Sequence, residues 1–258
     1  MIRSSIETNP AEHWEHFQSS FSVSIPVCLN RRTAPEGFNL TPAIEQVLSL
    51  DTTTPVNSLR VIYRVEPWVA ALALVALAPA LLIVAAIIAI LARRTPLVRH
   101  RRVGWRGTEL PVLKLRTMWE PNQNWAPVFA IEDVSNAIPA TKNGEDDRIT
   151  SRFAAWCRKH SIDELPQLYN VVRGEMSFVG PRPITRGELE QHYGPYAKMV
   201  LSLRPGLTGL WQVMGRSRLT YSKRKRLDLR LVRCASPGLY FRIFFRSVPR
   251  VLRGHDAH

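Results

Sequence analysis

Asp163 and Glu164 stand side by side in the stretch Ser161-Ile162-Asp163-Glu164-Leu165-Pro166. Arg158 and Lys159 precede them, Arg173 follows, and Arg182 sits in the rigid turn Gly180-Pro181-Arg182-Pro183. Arginines around a carboxylate at a helix start favour its charged form, and the same guanidiniums and backbone amides are donors for phosphate oxygens. This is what a carboxylate nucleophile attacking phosphorus requires, because the developing negative charge must be met by fixed donors or a metal. Two adjacent acids also permit a division of labour. One attacks while the other holds Mg2+, a hard cation suited to a diphosphate substrate. A purely structural account fits the same letters: Ser161 caps a helix, Glu164 closes a capping box three residues later, and Asp163 favours the positive end of the helix dipole. Adjacent Asp-Glu pairs are common, so the spacing leaves both accounts standing.

The element that must bring these groups to their substrate is written for lipid. Residues 68–92, WVAALALVALAPALLIVAAIIAILA, contain no charge and no strong hydrogen-bonding side chain. A cleaved signal peptide does not explain the run, which starts near residue 67, is about twice the usual signal core, and is followed by ARRTPLVRHRR rather than a small-residue cleavage site. Its twenty-five residues make roughly 37 Å of helix, enough to cross a hydrocarbon core of about 30 Å. Pro79 near its centre is a kink point. Arg60 and Arg64 before the run and Arg93, Arg94, Arg99, Arg101 and Arg102 after it give no in-out contrast and favour placing both ends by the same anionic leaflet. A spanning helix and a re-entrant one bent at Pro79 both satisfy these facts.

Charge points the same way. Lys and Arg total 35 against 21 Asp and Glu, and residues 67–258 hold 30 of the basic and 14 of the acidic side chains. Residues 218–258 carry eleven basic and two acidic side chains among Leu, Tyr, Phe and Val, the pattern of helices lying in the headgroup layer of anionic lipid. No recognition helix, RNP-type aromatic pair or zinc finger accompanies this charge, so nucleic acid is not the expected partner. Cys28, Cys157 and Cys234 are odd in number and widely spaced, which suggests a reducing compartment and no metal site of their own.

Three segments follow from this reading: a polar, partly disordered extension over 1–58, a membrane-inserted helix over 59–95, and a catalytic domain over 96–258. Within the extension, FSVSIPVCL reads as a short edge strand and AIEQVLSL as a turn or two of helix. In the domain, ELPVLKLRTM reads as a strand, 120–148 as an irregular acidic loop, RITSRFAAWCRKH as a helix and SIDELPQLYNVVRG as a second helical start. RPGLTGLWQV reads as a loop with a short strand.

Several stretches together resemble the bacterial sugar transferases that move a hexose-1-phosphate from a nucleotide sugar onto polyprenyl phosphate, the monotopic phosphoglycosyl transferases that initiate exopolysaccharide or O-antigen assembly. They are RHRRVGWRG (99–107), LKLRTM (113–118), DDRIT (146–150), SIDELPQLYNVVRGEMSFVGPRP (161–183), RPGLTGLWQVMGRS (204–217) and VPRVLRG (248–254). The resemblance covers residues 60–254 and implies an α/β domain, mostly helical with a small sheet, carrying an N-terminal re-entrant membrane helix and basic amphipathic interfacial helices.

By the resemblance, Asp163 corresponds to the nucleophile that forms a phosphosugar-aspartyl intermediate and Glu164 to its acidic partner, the two being the Mg2+ ligands. Lys114, Arg116, Arg158, Arg182 and Arg204 match phosphate- and substrate-binding residues. Pro79, Pro181, Gly206 and Thr208 match structural positions near the site. The implied partners are a UDP-sugar, undecaprenyl phosphate, anionic membrane lipids and other polysaccharide-assembly proteins or further copies of the chain. The implied place is the cytoplasmic face of the bacterial inner membrane. This chain departs from the family in having Ala78-Pro79 for the usual Ser-Pro and Leu115 for Phe between Lys114 and Arg116. It also has Val98 and His100 where Phe and Gln are frequent. A UDP-N-acetylated sugar is the rival donor, and a noncatalytic basic membrane adaptor is the rival from another class.

Overall fold

A computed structural model describes residues 57–119, 131–133, 151–215 and 219–253. The expected strand and helix of the N-terminal extension, the DDRIT stretch and most of the acidic loop lie outside the described residues.

Helix α1 (Arg60–Ala92) runs unbroken through Pro67 and Pro79. Its side chains divide into two stripes at helical spacing. Ala70, Ala73 and Leu74 join Leu110, Val112, Leu168, Val171 and Met176 in one cluster. Further along, Leu81, Val84, Ala85, Ile88 and Ala92 pack with Leu115, Trp119, Ala154 and Ile162 in a second. The opposite stripe is equally apolar but uncovered, with Trp68 79%, Leu72 72%, Val75 72%, Leu82 70% and Ile90 66% exposed. Among the described residues this is the one helix long and apolar enough to cross a membrane.

Strand β1 (Leu97–Val103) returns antiparallel on β2 (Glu109–Leu115), in a register that pairs Val98 with Lys114 and Arg102 with Leu110. The two-residue strand β3 (Glu132–Asp133) adds parallel to β1. Asp133 Oδ2 accepts from Arg101 Nε at 2.8 Å on this exposed edge. Helix α2 (Arg152–Lys159) starts at Ser151, whose hydroxyl accepts the Phe153 amide at 3.2 Å. A 3₁₀ segment over Ile162–Gln167 leads into α3 (Leu168–Val172).

Strand β4 (Ser177–Val179) lies parallel to β5 (Gly206–Thr208). Between them come the short helices α4 (Arg186–Glu188) and α5 (Ala197–Val200). The chain closes with α6 (Leu210–Met214), α7 (Tyr221–Arg233) and α8 (Pro237–Arg253). The described part is thus mostly helical with a small sheet, as expected.

A buried polar knot fastens the start of α1 to the rest. The Glu66 carboxylate, 3% exposed, accepts from Ser177 Oγ at 2.7 Å, from the Phe178 amide at 2.8 Å and from the Tyr240 hydroxyl. One side chain therefore holds α1, β4 and α8 together, and a carboxylate buried there needs those donors to offset its lost hydration.

Candidate active site

The chain arrives at Asp163 through an unusual backbone. Ser161 adopts φ 56° and ψ 24°, left-handed geometry that side-chain-bearing residues seldom take, and its side chain makes no capping hydrogen bond. The structural account of Ser161 and Glu164 as a capping box is therefore overturned. A capping box does form further on, where Thr185 Oγ1 accepts the Glu188 amide at 3.1 Å and Glu188 Oε2 accepts the Thr185 amide at 2.9 Å. The turn at Ser161 leaves Ile162 against the end of α1 and faces Asp163 inward.

Asp163 is only 8% exposed. Burial first, and the neighbouring Glu164 charge second, push its carboxyl up to about 6, while Lys114 and Arg158 pull the other way. Glu164 is held by cations on both sides. Lys114 Nζ donates to Glu164 Oε1 at 2.7 Å, and Arg182 Nη2 lies 3.5 Å from the same oxygen. Lys114 shares its face of the β1–β2 ladder with His100 and Arg102, as the register requires. Burial and the flanking Lys114 and Arg102 charges lower His100 to about 4, so its imidazole is neutral at physiological pH.

Asn170 clamps the acidic segment to the sheet. Its Nδ2 donates to the Pro111 carbonyl at 3.0 Å and to Glu175 Oε2 at 2.9 Å, and its Oδ1 accepts the Leu113 amide at 3.4 Å. Leu168 and Val171 then drive the rest of α3 into the core beside Ala70, each burial worth about 1.5–3 kcal/mol.

Arg182 is placed by a crossing of two backbones. Gly180 donates to the Thr208 carbonyl at 3.0 Å and Gly206 donates to the Pro181 carbonyl at 2.9 Å. A Cβ on Gly206 would lie 2.1 Å from the Gly180 nitrogen, and one on Gly180 would lie 2.2 Å from the Arg204 carbonyl oxygen. Only glycine fits either place. Beyond the crossing, Trp211 takes the Arg182 guanidinium at 5.9 Å and that of Arg224 at 4.8 Å from its ring centre.

Asp163, Glu164, Lys114, Arg158 and Arg182 thus come together, with Pro181, Gly206 and Thr208 in the frame behind Arg182. Two other expected phosphate-binding residues are engaged differently. Arg116, 8% exposed, donates Nε to the Thr95 carbonyl at 2.9 Å. Arg204 stacks over Tyr63 at 4.7 Å and Trp105 at 5.5 Å, and donates to the Tyr63 carbonyl at 3.4 Å, next to the Glu66 knot.

Among the described residues no group of three or more His, Cys, Asp or Glu side chains could hold a metal ion. Asp163 and Glu164 alone still suit Mg2+, which is commonly bound through one or two carboxylates with substrate phosphates and water completing its shell. Sequence reasoning did not single out Asn170 or Glu66.

The sequence profile of the bacterial sugar transferases matches residues 60–254, from the first turn of α1 to the end of α8. The chain belongs to the bacterial sugar transferase family. Among its relatives, the exopolysaccharide production protein ExoY of Sinorhizobium fredii is 37% identical over 197 residues, covering 74% of this chain and 84% of that one. The UDP-glucose:undecaprenyl-phosphate glucose-1-phosphate transferase of Caulobacter vibrioides is 37% identical, covering 76% of this chain and 71% of that one. The undecaprenyl-phosphate galactose phosphotransferase of Salmonella typhimurium is 38% identical, and the match covers 62% of this chain and 34% of that longer protein. Relatives of this sugar transferase are therefore named for transfer of different hexose phosphates to the same lipid phosphate.

Proposed function

We propose that this sugar transferase moves a hexose-1-phosphate from a UDP-hexose to undecaprenyl phosphate and releases UMP, the first membrane step of exopolysaccharide or O-antigen synthesis. The observation that carries the reading is the buried Asp163 carboxyl beside a Glu164 whose Oε1 lies 2.7 Å from Lys114 Nζ and 3.5 Å from Arg182 Nη2. At neutral pH Asp163 is charged, poorly hydrated and faced by fixed cations, the condition of an activated oxygen nucleophile. One of its oxygens attacks the sugar-linked phosphorus, the bond from that phosphorus to the bridging oxygen breaks, and UMP departs with the electron pair. An oxygen of the lipid phosphate then attacks the same phosphorus and frees the Asp163 carboxylate, leaving undecaprenyl-diphospho-hexose. Arg158 and Arg182 hold the phosphate oxygens, and Lys114 keeps Glu164 turned toward the site. Asp163 and Glu164 would hold Mg2+, which when bound neutralises the diphosphate charge.

The test is a donor carrying distinct labels in the hexose and in the sugar-linked phosphate, with purified protein, undecaprenyl phosphate and a panel of UDP-hexoses and UDP-N-acetylated sugars. Both labels are expected in the lipid, with UMP as the released nucleotide. Hexose label arriving without the phosphate means ordinary glycosyl transfer and rejects the reading.

A pH series adds a second check. Turnover is expected to fall as pH drops through about 6, where Asp163 gains its proton; His100, at about 4, does not contribute to that limb. Glu164→Gln removes a like charge, so its lower plateau should carry a limb shifted to more acid pH and an altered Mg2+ requirement. A limb that stays in place in Glu164→Gln would count against Asp163 as the titrating group.

We further propose that α1 enters and leaves the cytoplasmic leaflet, bending at Pro79, with α7 and α8 in the headgroup layer. The packing of α1 supports this. One face meets the same domain from Glu66 to Ala92, roughly 39 Å of helix, and a helix crossing the bilayer outright would drag that domain into hydrocarbon. Cysteines at the exposed positions Ser58 and Arg99, in a chain without Cys28, Cys157 and Cys234, should both react only from the cytoplasmic side. Labelling of position 58 from outside intact spheroplasts would restore a spanning helix.

A further inference from the structure

Helix α2 carries an aromatic face on the flank away from Arg158. Trp156 is 47% exposed, and its ring stacks on Phe153 with centres 5.9 Å apart and planes at 28°. The His160 ring stands 5.0 Å from it, with Nδ1 3.0 Å from the Trp156 carbonyl oxygen. At about 100° per residue, Phe153 and His160 fall within about 60° of Trp156 on one side, and Arg152 and Lys159 within the same angle on the other. No acidic residue interrupts the helix, RFAAWCRK. Ala154 and Cys157, both fully buried, form its inward stripe. Arg158 lies about 200° round from Trp156, so the aromatic face and the phosphate-holding cation occupy opposite flanks.

A single exposed ring is ordinary on a protein surface. Three in a row bordered by two cations have the composition of a membrane boundary, where an indole sits at headgroup level and basic side chains meet anionic lipid. The place agrees with the composition. Phe153 packs against the cluster that covers α1 from Leu81 to Ala92, the stretch whose other stripe exposes Leu82 and Ile90. At the opposite end of α1, α8 is tied to Glu66 through Tyr240 and exposes Phe241 and Phe245. Helices with uncovered aromatic side chains thus flank α1 at both ends. What distinguishes α2 is where it leads. The Ser161 amide donates to the Arg158 carbonyl at 3.0 Å and the Glu164 amide to the Ser161 carbonyl at 3.1 Å, so α2 passes through one tight turn into Asp163. Ala154 and Ile162 share a hydrophobic cluster, which makes the helix and the acidic segment move together. We infer that the face of Phe153, Trp156 and His160 seats in the anionic phospholipid leaflet, and that Trp156 is a positioning residue whose depth sets the height at which the Asp163 segment meets the acceptor phosphate. This rests on the proposed membrane placement of α1.

The experiment uses the full chain in vesicles of phosphatidylcholine with phosphatidylglycerol. A nitroxide is attached through Ala155→Cys, an exposed position, in a chain without Cys28, Cys157 and Cys234, and its collisions with oxygen and with a water-soluble nickel chelate are compared. Beside an intact Trp156, this label should favour oxygen over nickel by a ratio between those of labels at Leu72→Cys on α1 and Arg99→Cys on β1. Trp156→Gln should move it toward the aqueous ratio. The same change should raise the KM for undecaprenyl phosphate about tenfold, with kcat and the KM for UDP-glucose or UDP-galactose changed less than about twofold. Trp156→Phe keeps an aromatic ring and should hold the acceptor KM within about twofold of wild type. A label at 155 as open to nickel as the one at 99 overturns the inference, and so does an unchanged acceptor KM in Trp156→Gln. A label shielded from both reagents and broadened by coupling to a second nitroxide means that the face joins two copies of the chain, which overturns it equally. Should Trp156→Gln fail to fold, the depth of the label beside the native Trp156 decides. A label at 72 that reads as aqueous would overturn the membrane placement along with the inference, whereas a deep label at 72 with an aqueous one at 155 sinks the inference alone.

Discussion

Asp163→Asn is expected to leave a folded, membrane-bound protein whose UMP release is at least about a thousandfold slower and which melts at a higher temperature than the wild type. The two effects have one cause. A carboxyl raised from its usual range to about 6 is harder to ionise in the folded state than in the unfolded one. Between about pH 4 and pH 6 the folded chain therefore binds more protons, stability falls as pH rises through that window, and above it the loss is complete. Removing the charge should therefore raise stability at pH 7.5 and leave it unchanged at pH 3.5. Asn is also a far weaker nucleophile than a carboxylate, and it cannot form the acyl-phosphate bond. Thermal unfolding at the two pH values, together with UMP release, checks both halves. A near-wild-type rate sinks the nucleophile assignment, and an unfolded variant means that the residue serves the fold.

Gly206→Ala should be the most damaging small change in the frame. Its new methyl would lie 2.1 Å from the Gly180 nitrogen, 2.6 Å from the Thr208 carbonyl oxygen and 2.7 Å from the Gly180 Cα. These are backbone atoms, which cannot swing aside, so β4 and β5 must part and the Gly206-to-Pro181 hydrogen bond must break. A loss of about 3 kcal/mol is expected, or about 6–12 °C in melting temperature for a domain of this size, with turnover lost as Arg182 moves. Gly187→Ala is the matched control: nothing lies within 4 Å of its Cβ and its helical position favours alanine. Equal melting temperatures for the two variants would mean that the crossing is loose.

The site was readable where its chemistry was written in adjacent letters. Asp163, Glu164 and the Gly180–Pro183 turn announce themselves in one stretch, and the apolar run gives the C-terminal end of α1, although the helix begins eight residues before it, at Arg60. Strand β1 was hidden, because LVRHRRV carries four basic side chains whose alternation becomes visible only once β2 pairs with it. Ser161 misled for a different reason. Its sequence fits a helix cap, but the left-handed backbone that aims Asp163 inward is a product of tertiary packing, which local propensity does not encode. Long-range partners were out of reach altogether. Glu66 meets Ser177 and Tyr240 across separations of 111 and 174 residues, and nothing in a single chain of letters joins them.

The covered stripe of α1 changes what can be made of this protein at the bench and at the ribosome. Ala70 and Ile88 are fully buried and Ala92 is 2% exposed, all against side chains of the catalytic domain. Cutting the apolar helix away to obtain a water-soluble catalytic fragment would therefore open both hydrophobic clusters and unseat Ser177, Phe178 and Tyr240 from Glu66. Insertion and folding are one event for such a chain. On the proposed membrane placement, the domain emerges from synthesis without a finished core and completes it only against a helix already parked at the bilayer. Expression without membrane capacity should thus yield aggregates rather than an unanchored enzyme.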